Sequence, residues 1–491
     1  MSDYIIGLDF GTYQTKASIN HLDRKPQKHE FFEFGEKKKK SFFFPSKVSI
    51  LENGLIKYGD YTEKGIKYTF NYFKMASAED ARFQVTNDAL EPIYNYKNSY
   101  KGYTPEFLSV LYITYVLLLI KEHYQKNTGS TNIGRIGGLF AGLRRQTSEA
   151  NNFTIRMGIP TEYSKEVNFL RRRKFETMLL ISEMIQKELK YSLKEYLKLG
   201  EDDLKILVER FNKQVPKNES EFDKMIKDNH LSVFPESAAG LLYFVKSGKL
   251  NKGIYAAIDI GGGTTDMSFF NVYDGKIKYY TSDSYMMACN NIYLNCNSGE
   301  NTLENIKKTE QEIIESLQGD NWETNSRYTS AVSDLMKKIG DHLKKMINVT
   351  SSYGPLSKFS NAQIMKTMKD QPIIVYGGGL AHPQIEGWEE ILIYDNGSKY
   401  TLNSNLLTYM EIRDINLYKP DKTIILNKNW EQHFSFLIVS FGLSYLHRLD
   451  ETYWDDSDYK SIKLEKILKE VPHPTNEGMY VYKVIEGKWG D

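Results

Sequence analysis

Two distant stretches of this chain share one pattern: an apolar run ending in aspartate, then an apolar residue, glycine, threonine and a second apolar run. The first is YIIGLDFGTYQTKASI, residues 4–19, and the second is IYAAIDIGGGTTDMSFF, residues 254–270. Apolar and β-branched residues on both sides of a Gly-Thr break are typical of two strands joined by a tight turn. A single recurrence at so long a period predicts two similar lobes with one hairpin each, and not a solenoid.

The size and charge of the chain limit the classes of protein it can belong to. With 491 residues it is longer than a single core usually supports, and strand patterns alternate with helix patterns, which predicts an α/β fold of two or more domains. A net charge of +1, from 64 basic and 63 acidic residues, gives no strong case for nucleic acid as a partner. We interpret the basic runs at 37–40 and 171–174 as solvated faces.

The cysteines and the apolar segments favour a cytoplasmic protein without a membrane partner. Cys289 and Cys296 are too few for a disulfide framework, and the first residues lack the charge and apolar pattern of a secretory signal. The most apolar run, Phe107–Ile120, has 14 residues, fewer than the ~20 needed to span a bilayer. We expect a buried core helix there, begun by Thr104 and Pro105.

The glycine-threonine turns predict a site for polyphosphate. Backbone N–H groups in such turns have no ladder partner, and glycine lets an anion come close. Asp9 and Asp259, which close the first strand of each hairpin, would repel bare phosphate unless Mg²⁺ lies between, held through its water shell. A plain hairpin turn is the alternative for each copy alone. The predicted nucleotide contacts are Gly11, Thr12, Tyr13, Gly261, Gly262, Gly263 and Thr264, with a third glycine cluster at Gly377, Gly378 and Gly379.

These motifs resemble those of the superfamily of actin, sugar kinases and heat-shock chaperone ATPases. GLDFGTYQTKA is similar to its first phosphate loop, AAIDIGGGTTDMSFF to its second, and IIVYGGGLAHP to its adenosine loop. FNYFKMAS and PESAAGLLYF look most like a divergent branch of the seventy-kilodalton heat-shock chaperones that lacks the substrate-binding domain. The resemblance covers most of residues 4–447.

The resemblance implies two ribonuclease-H-like, actin-like lobes with ATP in the cleft between them. It assigns catalytic roles to Lys74, Asp259 and Glu236, and a hydrated Mg²⁺ to Asp9 and Asp259. Lys74 would stabilise charge at the γ-phosphate, and Asp259 or Glu236 would orient the attacking water. Ala381 stands where the family has an arginine that stacks on adenine, so the sequence does not decide whether the nucleotide base is adenine.

The same resemblance divides the chain into segments. We expect a first lobe over 1–250, with a small subdomain near 41–104 and a helical insertion near 191–230. A second lobe would span 251–448, with a helical subdomain near 286–371, and a short C-terminal extension over 449–491 would carry a short helix and a strand pair.

The leading functional hypothesis is a Mg-ATP-binding and hydrolysing switch of the chaperone type, without a standard substrate-binding domain and with a protein partner or client. The alternative is an actin-like filament-forming ATPase, for example in DNA segregation, which concentration-dependent assembly would distinguish. A small-molecule kinase and a nucleotide binder without turnover also stay open. Retention of Asp9, Lys74, Asp259 and Asp266 favours turnover.

Overall fold

The structure is a computed structural model that describes part of the chain. The described residues are 3–35, 40–61, 64–78, 83–86, 94–128, 153–164, 169–246, 253–273, 276–285, 326–353, 373–377, 392–395, 398–401, 424–445, 470–472 and 480–482, with single positions at 250, 288–289, 292, 296, 305, 308–309, 312, 420 and 422.

Strands and helices alternate along these residues, which confirms the α/β class. The strands are β1 Tyr4–Phe10, β2 Gln14–His21, β3 Lys28–Phe31, β4 Phe44–Pro45, β5 Lys47–Leu51, β6 Ile56–Tyr58, β7 Ile66–Asn71, β8 Phe83–Thr86, β9 Tyr94–Tyr96, β10 Phe153–Ile159, β11 Leu231–Pro235, β12 Gly253–Ile260, β13 Thr265–Tyr273, β14 Lys276–Tyr285, β15 Ile373–Tyr376, β16 Leu392–Asp395, β17 Ser398–Thr401, β18 Glu470–Pro472 and β19 Tyr480–Tyr482. The helices are α1 Phe73–Ala78, α2 Pro105–Thr128, α3 Phe169–Glu188, α4 Leu193–Tyr196, α5 Glu201–Gln214, α6 Glu219–Asp228, α7 Glu236–Lys246, α8 Ser326–Tyr353 and α9 Phe434–Tyr445.

Two sheets repeat one arrangement. In the first, β1 pairs antiparallel with β2 and parallel with β10. In the second, β12 pairs antiparallel with β13 and parallel with β15. Each hairpin predicted from the sequence therefore forms, and each is extended by a parallel strand on its other side. Every residue of β1 is buried, as expected for a central strand covered on both faces.

A third sheet and three short helices lie together within the first 230 residues. The strands run in the order β6-β5-β7-β8-β9, all antiparallel. Leu55 forms a bridge with Gly200, and the Glu201 N–H donates to the Gly54 carbonyl at 2.9 Å. The helices of 191–230 are therefore anchored to the small sheet at this point.

The core helix α2 is longer than the apolar run that predicted it. Thr104 caps it by accepting from the Phe107 N–H at 3.2 Å. The helix continues beyond Ile120 to Thr128, and Lys121, the first residue after the apolar run, lies buried against Glu183 on α3 at 2.6 Å. Pro105–Gln125 is long and apolar enough to cross a membrane, but 78% of its apolar window is buried inside the protein. The burial confirms a core helix, whereas the predicted length was too short.

The basic run at 171–174 is largely a packing element and not the solvated face that we predicted. The Arg173 guanidinium lies 3.8 Å from the centre of the Phe222 ring and 2.9 Å from Asp223. Arg172 pairs with Glu176 at 3.5 Å along α3. Only Lys174 of this run is exposed. These contacts attach α6 to α3, so the basic residues serve packing more than solvation.

Helices α7 and α9 cross at unusually short range and join the two sheets. A Cβ at Gly442 of α9 would lie 1.8 Å from the Ala239 carbonyl oxygen of α7. A Cβ at Gly7 of β1 would lie 2.3 Å from the Ser440 carbonyl oxygen of α9. Glycine is required at both positions because any side chain would overlap backbone atoms. Helix α9 therefore lies directly on β1 while it touches α7.

A buried polar cluster fixes α9 to the first sheet. The Ser444 hydroxyl lies 3.1 Å from His29 Nδ1 and 3.0 Å from the Ser18 hydroxyl. Asn20 donates to the Ser444 carbonyl at 3.1 Å. Burial, and to a smaller extent the charge of His21, lower the pKa of His29 to about 3.

We expect His29 to make the protein less stable as the pH falls. The unfolded chain gains a proton at this histidine below about pH 6.5, whereas the folded protein does so only near pH 3. Stability should therefore fall by about 1.4 kcal/mol per pH unit between these values, or about 2 kcal/mol from pH 7 to pH 5. Urea unfolding of wild type and His29→Asn at both pH values checks this. An unchanged difference between the two pH values in the variant would refute it.

Candidate functional site

The two hairpins have the same register at their tips. Asp9 on β1 pairs with Lys16 on β2, and Asp259 on β12 pairs with Asp266 on β13. Each aspartate is thus paired with a polar residue that lies seven positions later in the sequence. Paired residues point to the same face of a sheet, so each hairpin places two polar groups side by side.

The loops of the two hairpins touch each other. A Cβ at Gly262 would lie 2.5 Å from Tyr13 Cβ, and one at Gly263 would lie 2.8 Å from Thr12 Cγ2 and from the Met75 sulfur. Larger residues would push the loops apart, so these glycines are needed for the contact. The Cys289 N–H donates to the Gly261 carbonyl at 3.3 Å. The predicted nucleotide-binding residues of both loops therefore lie in one place.

Lys74 and Glu236 form a buried ion pair beside the loops. Lys74 is the second residue of α1 and Glu236 the first of α7, and Lys74 Nζ lies 2.7 Å from Glu236 Oε1. Lys74 is only 5% exposed, so it is not a solvated surface lysine. Burial raises the pKa of Glu236, the nearby Lys74 opposes that rise, and the negative charge of Asp9 adds to it.

Lys16 is a member of the site that the sequence analysis missed. Its ammonium lies 2.8 Å from Asp9 Oδ2. Burial disfavours the charge on Lys16, but the carboxylates of Asp9, Asp259 and Glu236 outweigh it, so the pKa of Lys16 is raised. The signal that could have revealed it is the offset of seven from Asp9, the same as that of Asp266 from Asp259.

Asp259 lies at the centre of the carboxylates. Burial raises its pKa well above the usual value, and the negative charges of Asp266, Glu236 and Asp9 raise it further. Gly377 adopts φ +96°, and a Cβ there would lie 2.2 Å from Asp259 Oδ1. Gly377 therefore lines the Asp259 carboxylate. The predicted positions Gly378, Gly379 and Ala381 lie outside the described residues.

The charges of the site fit a hydrated divalent cation. The acidic groups of the site outnumber its lysines. Asp9, Glu236 and Asp266 are buried, Asp259 is half-buried, and the lysines near them are Lys16 and Lys74. Among the described residues no three His, Cys, Asp or Glu side chains are close enough to hold a metal directly. Mg²⁺ would then be held through its own waters, which is the mode this ion prefers.

Comparison with known proteins finds a similarity to one protein family over part of the chain. Residues 244–425 are similar to the family described as ethanolamine utilisation protein EutA. That family is related to the superfamily of heat-shock chaperone and actin-like ATPases. The match includes the second hairpin and Gly377, covers well under half of the chain, and begins after Lys74 and Glu236. No curated protein matches this sequence.

Proposed function

We propose that this chain binds and hydrolyses Mg-ATP as a molecular switch of the chaperone type. The observation that carries the proposal is the contact between two hairpin loops of equal register, beside which lie two lysines, three buried acidic residues and the half-buried Asp259. A glycine-lined polar site of this kind suits a polyphosphate and its cation. The similarity of 244–425 to an ATPase-related family supports it independently.

In this proposal each group has a role set by its charge. The N–H groups of residues 12–13 and 262–264 and the ammonium groups of Lys16 and Lys74 bind phosphate oxygens, whereas the N–H groups of Gly11 and Gly261 donate to carbonyls within their own hairpins. Asp9 and Asp259 hold waters of the Mg²⁺, which supplies charge neutralisation for phosphoryl transfer. Asp259 or Glu236 orients the attacking water. Positioning and charge stabilisation of this kind account for most of the catalysis of phosphoryl transfer.

The loop contact gives the switch its physical basis. Because Gly262 and Gly263 lie against Tyr13 and Thr12, a triphosphate bound between the loops must separate them. The two hairpins belong to different sheets, which α7 and α9 join, so nucleotide binding would shift one sheet against the other. We propose that these sheets are the two actin-like lobes and that a protein partner responds to the shift. The family similarity nominates a protein of ethanolamine utilisation as that partner.

The first experiment is the steady-state ATP hydrolysis rate per protomer with Mg²⁺, over a wide range of protein concentration, with a chelator as control. A slow rate that is independent of concentration and lost on chelation is expected for the switch. A rate that appears only above a threshold concentration would favour the filament-forming ATPase. A rate no higher than that of the chelator control at every protein concentration would overturn the proposal.

A further inference from the structure

Tyr376 completes a polar row across the second sheet. It is the last residue of β15 and pairs with Asp259 on β12, which pairs in turn with Asp266 on β13. Side chains of paired residues lie on one face of a sheet, so these three point toward the same side. The tyrosine therefore extends the row of acidic residues by one strand.

Helix α7 covers this row and makes room for the tyrosine ring. A Cβ at Gly240 would lie 3.1 Å from Tyr376 Cζ and 3.3 Å from its hydroxyl oxygen. Gly240 lies four residues after Glu236, one turn along the same face of α7. The Tyr376 hydroxyl thus lies against α7, one turn away from the Glu236 carboxylate.

The hydroxyl is buried and has no hydrogen-bond partner among the described residues. Tyr376 is 1% exposed, and its oxygen is out of contact with water. An unpaired buried hydroxyl costs about 1–3 kcal/mol, and a catalytic role is one of the reasons for which proteins keep such a group. Burial, together with the charges of Asp259 and its neighbours, raises the pKa of Tyr376 well above its usual value. The group therefore keeps its proton and remains a donor.

We propose that Tyr376 is a positioning residue for the hydrolytic water: once bound nucleotide has separated the loops, its hydroxyl donates a hydrogen bond to a water that the Asp259 carboxylate also holds. This inference rests on the proposed ATPase function. In the step it serves, the water oxygen bonds to the γ-phosphorus, the bond to the bridging oxygen of ADP breaks, and a water proton passes to Asp259 or Glu236. The tyrosine itself exchanges no proton.

The test is Tyr376→Phe, which removes the hydroxyl and keeps the ring. We expect kcat for Mg-ATP to fall about tenfold or more, with KM changed less than about twofold, because the lost hydrogen bond serves the water and not the nucleotide. The thermal unfolding midpoint should stay equal or rise, since no partner is lost. Unchanged kcat, or a lower midpoint with kcat and KM shifted together, would overturn the inference.

A matched control is Tyr196→Phe. Tyr196 is equally buried, but its hydroxyl bonds the Tyr58 hydroxyl at 2.7 Å and the Leu111 carbonyl at 2.8 Å. This variant should lower the unfolding midpoint and leave kcat unchanged, the opposite of the result at Tyr376. If wild type hydrolyses Mg-ATP and Tyr376→Phe does so with the same kcat, only the inference fails. If wild type binds Mg-ATP in a fluorescence titration but does not turn it over, the hydrolysis part of the proposed function fails with the inference. If it does not bind, the proposed function fails as well.

Discussion

Lys74→Ala is expected to slow Mg-ATP hydrolysis by about 10²-fold or more, the scale of losing one group that stabilises transition-state charge. The structure adds an expected effect on stability. Removing one partner of a buried ion pair costs about 3–5 kcal/mol when the remaining charge stays ionised. Glu236 can take up a proton instead because its pKa is already raised, so we expect the lower end of that range. Steady-state kinetics and urea unfolding measure the two effects separately.

The control for this variant is another buried lysine. Lys121 on α2 pairs with Glu183 on α3 at 2.6 Å, and both side chains are as buried as those of Lys74 and Glu236. Lys121→Ala should lower stability by a similar amount and leave the hydrolysis rate per folded molecule unchanged. A wild-type rate in Lys74→Ala would remove Lys74 from the catalytic site. Equal rate losses in both variants would show that the loss follows from unfolding.

Gly442→Ala is expected to destabilise the protein by about 3 kcal/mol or more. In an exposed helix the same change stabilises by about 1 kcal/mol, since alanine favours helical backbone. Here the new Cβ would lie 1.8 Å from the Ala239 carbonyl oxygen, so α9 and α7 must separate and lose packing along their contact. The steric effect should therefore exceed the gain in helix propensity. The measurement is the free energy of unfolding from a urea titration.

Gly200→Ala is the matched glycine control. Gly200 has φ −82°, and the nearest atom to its Cβ position is 3.8 Å away, an ordinary contact distance. We expect a change below about 1 kcal/mol there, within the usual range for a helix N-cap. Similar effects at both glycines would show that the crossing of α7 and α9 can relax without cost. Wild-type stability in Gly442→Ala would contradict the close approach itself.

These variants address two parts of one arrangement. The Lys74→Ala variant tests the role of the buried ion pair beside the loops in hydrolysis. The Gly442→Ala variant tests the contact between α7 and α9, which holds the two sheets at their observed distance. If Gly442→Ala folds, its affinity for Mg-ATP reports whether that distance matters for binding. An affinity equal to that of wild type would mean that the loops bind nucleotide independently of the helix crossing.

The sequence by itself determined the elements whose signal is local. The apolar runs that end in Asp9 and Asp259 predicted both hairpins, because strand periodicity and glycine-threonine turns are encoded by adjacent residues. Thr104 and Pro105 marked the start of α2 for the same reason. The predicted end of α2 lies several residues before the observed end, because a lysine at position 121 is expected to face solvent unless its buried partner Glu183 is known.

Only the tertiary structure decided which distant side chains meet. The pairing of Lys74 with Glu236 joins residues 162 positions apart. Tyr376 carried no signal, because a tyrosine at a strand end is ordinary until its ring is found beside Gly240 and Asp259. Charge interactions, burial and hydrogen bonds depend on distances in space. Contacts between side chains that are far apart in the sequence therefore become known only when strand register and helix packing have placed the groups together.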